Sequence, residues 1–159
     1  NHMAPSLLLT AACLGSSIRV ATPENYAPNP QIVADARQIA KQTGARIELL
    51  TDPHAAVAGV DAVYTDAWAS MGQENVAAER AAIFQPHQVN RALMAEAAPH
   101  AVFMHCLPAH RGQEVTDEIM DSENSLIFEQ AENRLHVQKA ILYLLLGGSV
   151  RLPARSAHA

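Results

Sequence analysis

The chain is 159 residues long, with 49% apolar, 17% charged and 4% aromatic residues, which is enough apolar material for one sizeable core and too much for a disordered chain. Eleven Lys and Arg against sixteen Asp and Glu give a net charge of −5, and only two residues are Lys. Nothing in that balance points to nucleic acid or an anionic membrane surface as a partner.

In chain order, Leu7, Leu8, Ala11, Ala12 and Leu14 share a helical face that stops at Gly15, a residue suited to a helix C-terminus. Ile18–Ala21 reads as a short strand closed by Thr22-Pro23, and the proline- and asparagine-rich segment 25–30 as a loop. Ile32, Ala36, Ile39 and Ala40 then recur at helical spacing up to Gly44, and Arg46–Leu50 is the second strand. Thr51-Asp52-Pro53 caps a short helix that ends near Gly59, and Ala62–Thr65 is the third strand. Helices are expected around Val76–Ile83 and Val89–Ala97, with Pro86 between them. Ala101–Met104 is the fourth strand, Thr116–Met120 a short helix, Ser125–Phe128 a fifth strand, and Ala131–Leu146 a long closing helix.

Short apolar strands separated by helices predict an α/β fold, a Rossmann-like doubly wound parallel sheet with helices on both faces. The chain opens on a helix where such a domain normally opens on a strand, so the first strand is expected to be missing and the chain to be a fragment. Residues 1–146 are expected to form the domain, and 147–159, which lose periodicity and contain Pro153, a flexible tail.

Two cysteines, Cys13 and Cys106, make no disulfide framework and fit a reducing, cytoplasmic setting. The longest apolar run, Ile141–Leu146, is far short of the roughly 20 residues of a membrane span. Ser6–Leu14 has some likeness to a signal-peptide core, but no positive region precedes it and Thr10 breaks it.

In parallel sheets ligands bind outside the carboxyl ends of the strands, which directs attention to the loops there. The loop after strand three begins at Asp66 and runs through Trp68, Ser70, Met71 and Gly72. Asp66 and Ser70 suit an ammonium group, while the plainer reading is an Asp closing a turn and a Trp covering the core edge. The loop after strand four is His105-Cys106-Leu107-Pro108-Ala109-His110-Arg111-Gly112. A thiol nucleophile paired with His, a metal site built on His105, Cys106 and His110, polar recognition of a substrate, and an inert buried Cys all remain open there. No C-x-x-C or H-E-x-x-H spacing supports the metal reading. Cys13, inside the apolar pattern of a helix, fits the inert reading better. Arg134 is placed in the first turn of the last helix, where a cation opposes the helix dipole. It suits a bound phosphate or carboxylate, or an ion pair with Glu129 or Glu132. No glycine-rich nucleotide motif occurs.

Together these loops resemble the ornithine carbamoyltransferase family. Asp66-x-x-x-Ser70-Met71-Gly72 is similar to its ornithine-binding loop, His105-Cys106-Leu107-Pro108 to its HCLP motif, and Glu132-Asn133-Arg134-Leu135-His136 to the segment carrying its carbamoyl-phosphate arginine. The related aspartate enzymes have HPLP in place of HCLP. The resemblance implies carbamoyl transfer from carbamoyl phosphate to the side-chain amine of L-ornithine, giving citrulline and phosphate, with no metal or organic cofactor. It implies that Asp66 and Ser70 hold the α-amino end and the Met71 backbone the carboxylate. Cys106 and the Leu107 carbonyl would lie beside the reacting amine, and Arg134 would polarise the carbamoyl oxygen. It further implies a homotrimer and an amino-terminal carbamoyl-phosphate domain with a Ser-Thr-Arg-Thr-Arg phosphate loop, a sequence this chain does not contain. His2 falls where the family has a substrate-binding Asn, so Asn1-His2-Met3 is either a departure or vector-derived. His105 is a further candidate within the HCLP motif. The competing expectations are a carbamoyltransferase for another amine, such as putrescine or an acylated ornithine, and a non-catalytic binding or assembly module.

Overall fold

The computed structural model describes residues 3–69 and 77–149. Helix α1 (Met3–Leu14) precedes strand β1 (Ile18–Ala21), helix α2 (Pro30–Thr43), strand β2 (Ile47–Leu50), the short helix α3 (Pro53–Val57) and strand β3 (Ala62–Thr65). Helix α4 (Ala77–Phe84), a 3-10 turn (Gln85–His87) and α5 (Arg91–Met94) lead to β4 (Val102–His105), α6 (Asp117–Met120) and α7 (Ile127–Leu145).

The helix ends follow from their side chains. Asn29 Oδ1 accepts the Gln31 N–H at 2.8 Å, with Pro30 pre-set in the first turn. Gly44, at φ 83°, closes α2 by donating its N–H to Ala40 O. Asp52 caps α3 through the His54 N–H in the same way. The helix expected over Val89–Ala97 is reduced to Arg91–Met94, because Asn90 caps it through the Leu93 N–H and Val89 is taken up by a parallel bridge to Val115.

Among the described residues all strand pairing is parallel, as the sequence predicts, and the α/β class holds. The four strands join two by two: β1 with β2, Ile18 opposite Ile47, and β3 with β4, Ala62 opposite Val102 and Thr65 opposite His105. Each pair has its own core, where the composition predicts one. Leu8 and Ala12 of α1 and Val33, Ala36 and Ala40 of α2 bury one face of β1–β2. Phe103, Val63, Leu93, Val115, Ile119 and Ile127 form the second cluster, around β3–β4. Arg19 of β1 reaches the carbonyl of Ala58 at 2.9 Å, tying the first pair to the segment that enters β3.

The expected fifth strand, Ser125–Phe128, is not one. Phe103 makes a single bridge to Ser125, donating its N–H to Asn124 O and accepting from the Leu126 N–H. The chain then turns into α7 at Ile127, whose side chain is anchored in the core. A run such as Leu126-Ile127-Phe128 suits a strand or a buried helix start equally well, and the length of the following pattern decides. Beyond Ile127 the helix is exposed: Phe128 is 71% exposed and Leu145 78%. Among the described residues no helix is long and apolar enough to cross a membrane.

Two outcomes are expected. Phe103→Ala, at a fully buried side chain, should lower stability in urea unfolding by about 3–5 kcal/mol. The unpaired edges of β1 and β3 and the bare apolar surface of α7 should make the chain self-associate, with the mass from light scattering rising with concentration. Leu142→Glu should reduce that rise, and a monomer at every concentration would contradict it.

Candidate active site

Parallel pairing with Thr65 opposite His105 carries the next residues, Asp66 and Cys106, out of the carboxyl ends of adjacent strands side by side. The Cys106 thiol donates to Asp66 Oδ1 at 3.0 Å, and the same oxygen accepts the Ala67 N–H at 2.8 Å. Residues 40 apart in sequence are thus joined by a side-chain bond at the place where ligands bind in such sheets.

Burial, followed by the Asp66 carboxylate, pushes the Cys106 thiol up from its ordinary 9.0 to about 11. That shift favours the thiol near neutral pH and weakens the thiolate-nucleophile reading. Tyr64, on β3, accepts a hydrogen bond from Gln130 Nε2 of α7 at 3.2 Å, and burial raises its hydroxyl well above the usual phenol range. This bond holds α7 against the end of β3.

Leu107 adopts a left-handed backbone, φ 57°, uncommon for a residue with a branched side chain. Its N–H donates to His105 Nδ1 at 2.8 Å. The bond turns the chain sharply after β4, and the Leu107–Pro108 peptide is cis. His105, 1% exposed, is therefore a structural part of the turn. Its ring lies 3.3 Å from Glu114, a fully buried carboxylate.

Asp66, Cys106, Leu107 and His105 are brought together. Arg134 is not joined to them by any hydrogen bond or ion pair among the described residues. Because α7 begins at Ile127 and not near Ala131, Arg134 lies two turns into the helix and not in its first turn, and it is exposed. Glu132, offered as a partner for it, pairs with His136 instead, at 3.2 Å. Arg111 of the HCLP loop is held by Asp121 and Asp117 at 2.7 and 3.0 Å. Ser70, Met71 and His2 lie outside the described residues. Cys13, expected inside the apolar face of α1, is exposed: Leu8 and Ala12 form the buried side, and the next residue turns outward. Among the described residues no group of three or more His, Cys, Asp or Glu is placed to hold a metal ion.

Tyr64, Gln130 and Glu114 were not picked out by the sequence. For Tyr64 a signal existed, a polar-tipped aromatic inside an otherwise apolar strand; for the other two there was none. A separate cavity of about 370 Å³ opens at the carboxyl ends of β1 and β2, lined by Thr22, Glu24, Asn25 and Leu50 among others.

The thiol titration is open to test. With the exposed Cys13 replaced by Ser, alkylation of Cys106 should rise about tenfold per pH unit from pH 7 and level off only near 11. Asp66→Asn should lower the midpoint, though not fully to 9.0, because burial is the larger cause. The sign for stability follows. The folded state raises this group, so its contribution is full below about 9 and is lost as pH rises toward about 11.

The model of the aspartate/ornithine carbamoyltransferase Asp/Orn-binding domain matches residues 1–145. The chain is 54% identical over 148 residues to the ornithine carbamoyltransferase of Thermococcus kodakarensis, covering 93% of this chain and 47% of that protein. It is 53% identical over 146 residues to that of Rhodococcus opacus, covering 92% and 46%. The solved ornithine carbamoyltransferase of Pyrococcus furiosus matches with a TM-score of 0.87 and 53% identity over 92% of this chain and 47% of that one. A solved N-acetyl-L-ornithine transcarbamylase matches with a TM-score of 0.73 and 32% identity, covering 89% of this chain and 44% of that one. The chain spans about half the length of the relatives it matches. Matched by that family model over residues 1–145, the chain belongs to the aspartate/ornithine carbamoyltransferase family, in its Asp/Orn-binding domain.

Proposed function

We propose that this chain is the ornithine-binding part of an ornithine carbamoyltransferase, which transfers the carbamoyl group of carbamoyl phosphate to the side-chain amine of L-ornithine. The observation that carries this reading is the Cys106–Asp66 bond at the ends of β3 and β4, in a chain 54% identical to an enzyme of that name. Asp66 supplies a carboxylate for an ammonium group, and Cys106 stays a neutral thiol beside it. That pairing suits an amino-acid substrate whose α-amino end is charged and whose attacking amine must be neutral.

In the reaction the side-chain amine of ornithine attacks the carbonyl carbon of carbamoyl phosphate. The tetrahedral intermediate expels phosphate, which takes up the proton released by the attacking nitrogen, leaving citrulline. Asp66 and Ser70 hold the α-amino group and the Met71 backbone the carboxylate. Cys106 and the Leu107 carbonyl contact the attacking amine, so the bound amine faces one direction. Arg134 stabilises charge on the carbamoyl oxygen. Since Arg134 is exposed on α7, it takes this role in the company of the rest of the protein, which supplies the phosphate site. That remainder, an amino-terminal carbamoyl-phosphate domain, covers the apolar surface of α7, and the complete protein is a homotrimer of the cytoplasm. No metal or organic cofactor has a part in this chemistry.

The chain alone should therefore bind ornithine but show no citrulline formation from ornithine and carbamoyl phosphate. Mixing with the carbamoyl-phosphate domain should restore turnover. Asp66→Ala should weaken ornithine binding in calorimetry at least tenfold, the loss of one charge-assisted hydrogen bond of about 1.5–3 kcal/mol. Turnover by the chain alone would overturn the dependence on a second domain. Stronger binding of putrescine or N-acetylornithine than of ornithine would move the assignment to another amine, the direction in which the acetylornithine relative points.

A further inference from the structure

Glu114 has no exposed surface, and its backbone is fixed from both sides: its carbonyl accepts the Val89 N–H at 2.9 Å, and the Thr116 N–H donates to Val89 O at 3.1 Å. A buried carboxylate is costly unless its oxygens are engaged. Oε1 accepts the His110 N–H and faces His105 Nε2 at 3.3 Å, an ion-pair approach that is not an aligned hydrogen bond. Oε2 has no hydrogen-bond partner among the described residues and lies 3.7 Å from His110 Nδ1. Although burial works against the charge, His105 and the His110 N–H outweigh it and hold the carboxyl below its ordinary range.

The His105 ring has two nitrogens with different tasks. Nδ1 accepts the Leu107 N–H, so in a neutral ring the proton sits on Nε2, the nitrogen facing Glu114. Glu114 thus reaches both ends of the turn that carries Cys106 and Leu107. It meets the ring that ends β4 and the amide of His110, beyond Pro108. The left-handed Leu107 between them is an unfavourable backbone that persists where its surroundings fix it, and its N–H is engaged by His105.

We propose that Glu114 is a positioning residue for the Cys106–Leu107 turn, acting through the His105 ring. Its carboxylate selects the Nε2–H form, which leaves Nδ1 free to accept the Leu107 N–H. That bond aims the Leu107 peptide and keeps the Cys106 thiol against Asp66. Glu114 touches no substrate. The inference rests on the proposed function only for what the turn would contact, and its test uses no ornithine.

The test is made on the 159-residue chain carrying Cys13→Ser. Long-range 1H–15N spectra of the parent should show His105 as the Nε2–H tautomer, and an Nδ1–H ring would overturn the proposal without any variant. Iodoacetamide labelling of Cys106 at pH 8 is then compared in Glu114→Gln and Glu114→Leu. Gln keeps an acceptor oxygen and should label within threefold of the parent. Leu fills the volume without an acceptor and should label at least tenfold faster, with a mixed tautomer at His105. A role in packing alone predicts that Leu labels like the parent, and equal acceleration in Gln and Leu would show that the acceptor is not the cause; either result overturns the proposal. If the Leu variant does not fold, the parent tautomer and the Gln variant decide. Loss of ornithine binding with the labelling pattern intact would count against the proposed function and leave the positioning role standing.

Discussion

The pairing of β3 with β4 is the constraint on which the site depends. Parallel strands advance together, so Thr65 opposite His105 delivers Asp66 and Cys106 to the same edge at the same height. A slip of one residue would turn every side chain of one strand to the other face, sending His105 to solvent and Phe103 out of the core. The register is held by burial: Val63 and Phe103 are paired opposite one another and both lie within the second core cluster. The hydrophobic energy that fixes Phe103 is therefore the same energy that sets the distance from thiol to carboxylate. No separate device is needed to bring them together.

Once the strands end, control passes from apolar packing to polar contacts. Leu107 and Ala109 still pack against the second core cluster, but the backbone N–H groups of the turn need polar partners. His105 and Glu114, both buried, take over, each bonded to a backbone N–H of that turn. A rigid scaffold carrying a turn of unusual backbone is a common way to place functional groups, since the strain is supported by surroundings that are already folded. Here the support is a buried carboxylate that accepts from the turn, so the turn should be more sensitive to the chemistry of position 114 than to its size.

The elements with one clear pattern could be read from the sequence. β3 is where its short run Ala62–Thr65 places it, and α2 runs through the helical spacing of Ile32 to Ala40 and stops at Gly44, although Pro30, read as loop, opens it. What could not be read depends on contacts across the fold. Ser125–Phe128 satisfies a strand pattern and becomes a bridge and a helix start, because Ile127 is needed in the core. That shift moves Arg134 from the first turn to two turns inside α7 and removes the dipole argument for it. The Asp66 and Cys106 candidates were visible as chemistry-bearing residues at strand ends. Their contact was not, because the strand register joins residues 40 apart. Glu114 is invisible in sequence for the same reason: a Glu between Gln113 and Val115 looks like surface until Val89 closes over its backbone.

α7 and the Asp66–Cys106 pair differ in how far their contacts are met among the described residues. The pair is internally complete, with donor, acceptor and turn all within the described residues. α7 is not: its far end, Ile141–Leu146, is apolar on every side, yet Leu142 is 59% and Leu146 86% exposed. A helix apolar all round belongs in an interior, and no self-pairing along one stripe would cover it. Its near end is tied to the site by Gln130 on Tyr64, only two residues from Asp66 along β3. Whatever covers the far end of α7 therefore also bears on the orientation of Arg134 relative to the thiol–carboxylate pair. On the proposed function, assembly and chemistry would be coupled through this one helix, which carries both Gln130 and Arg134.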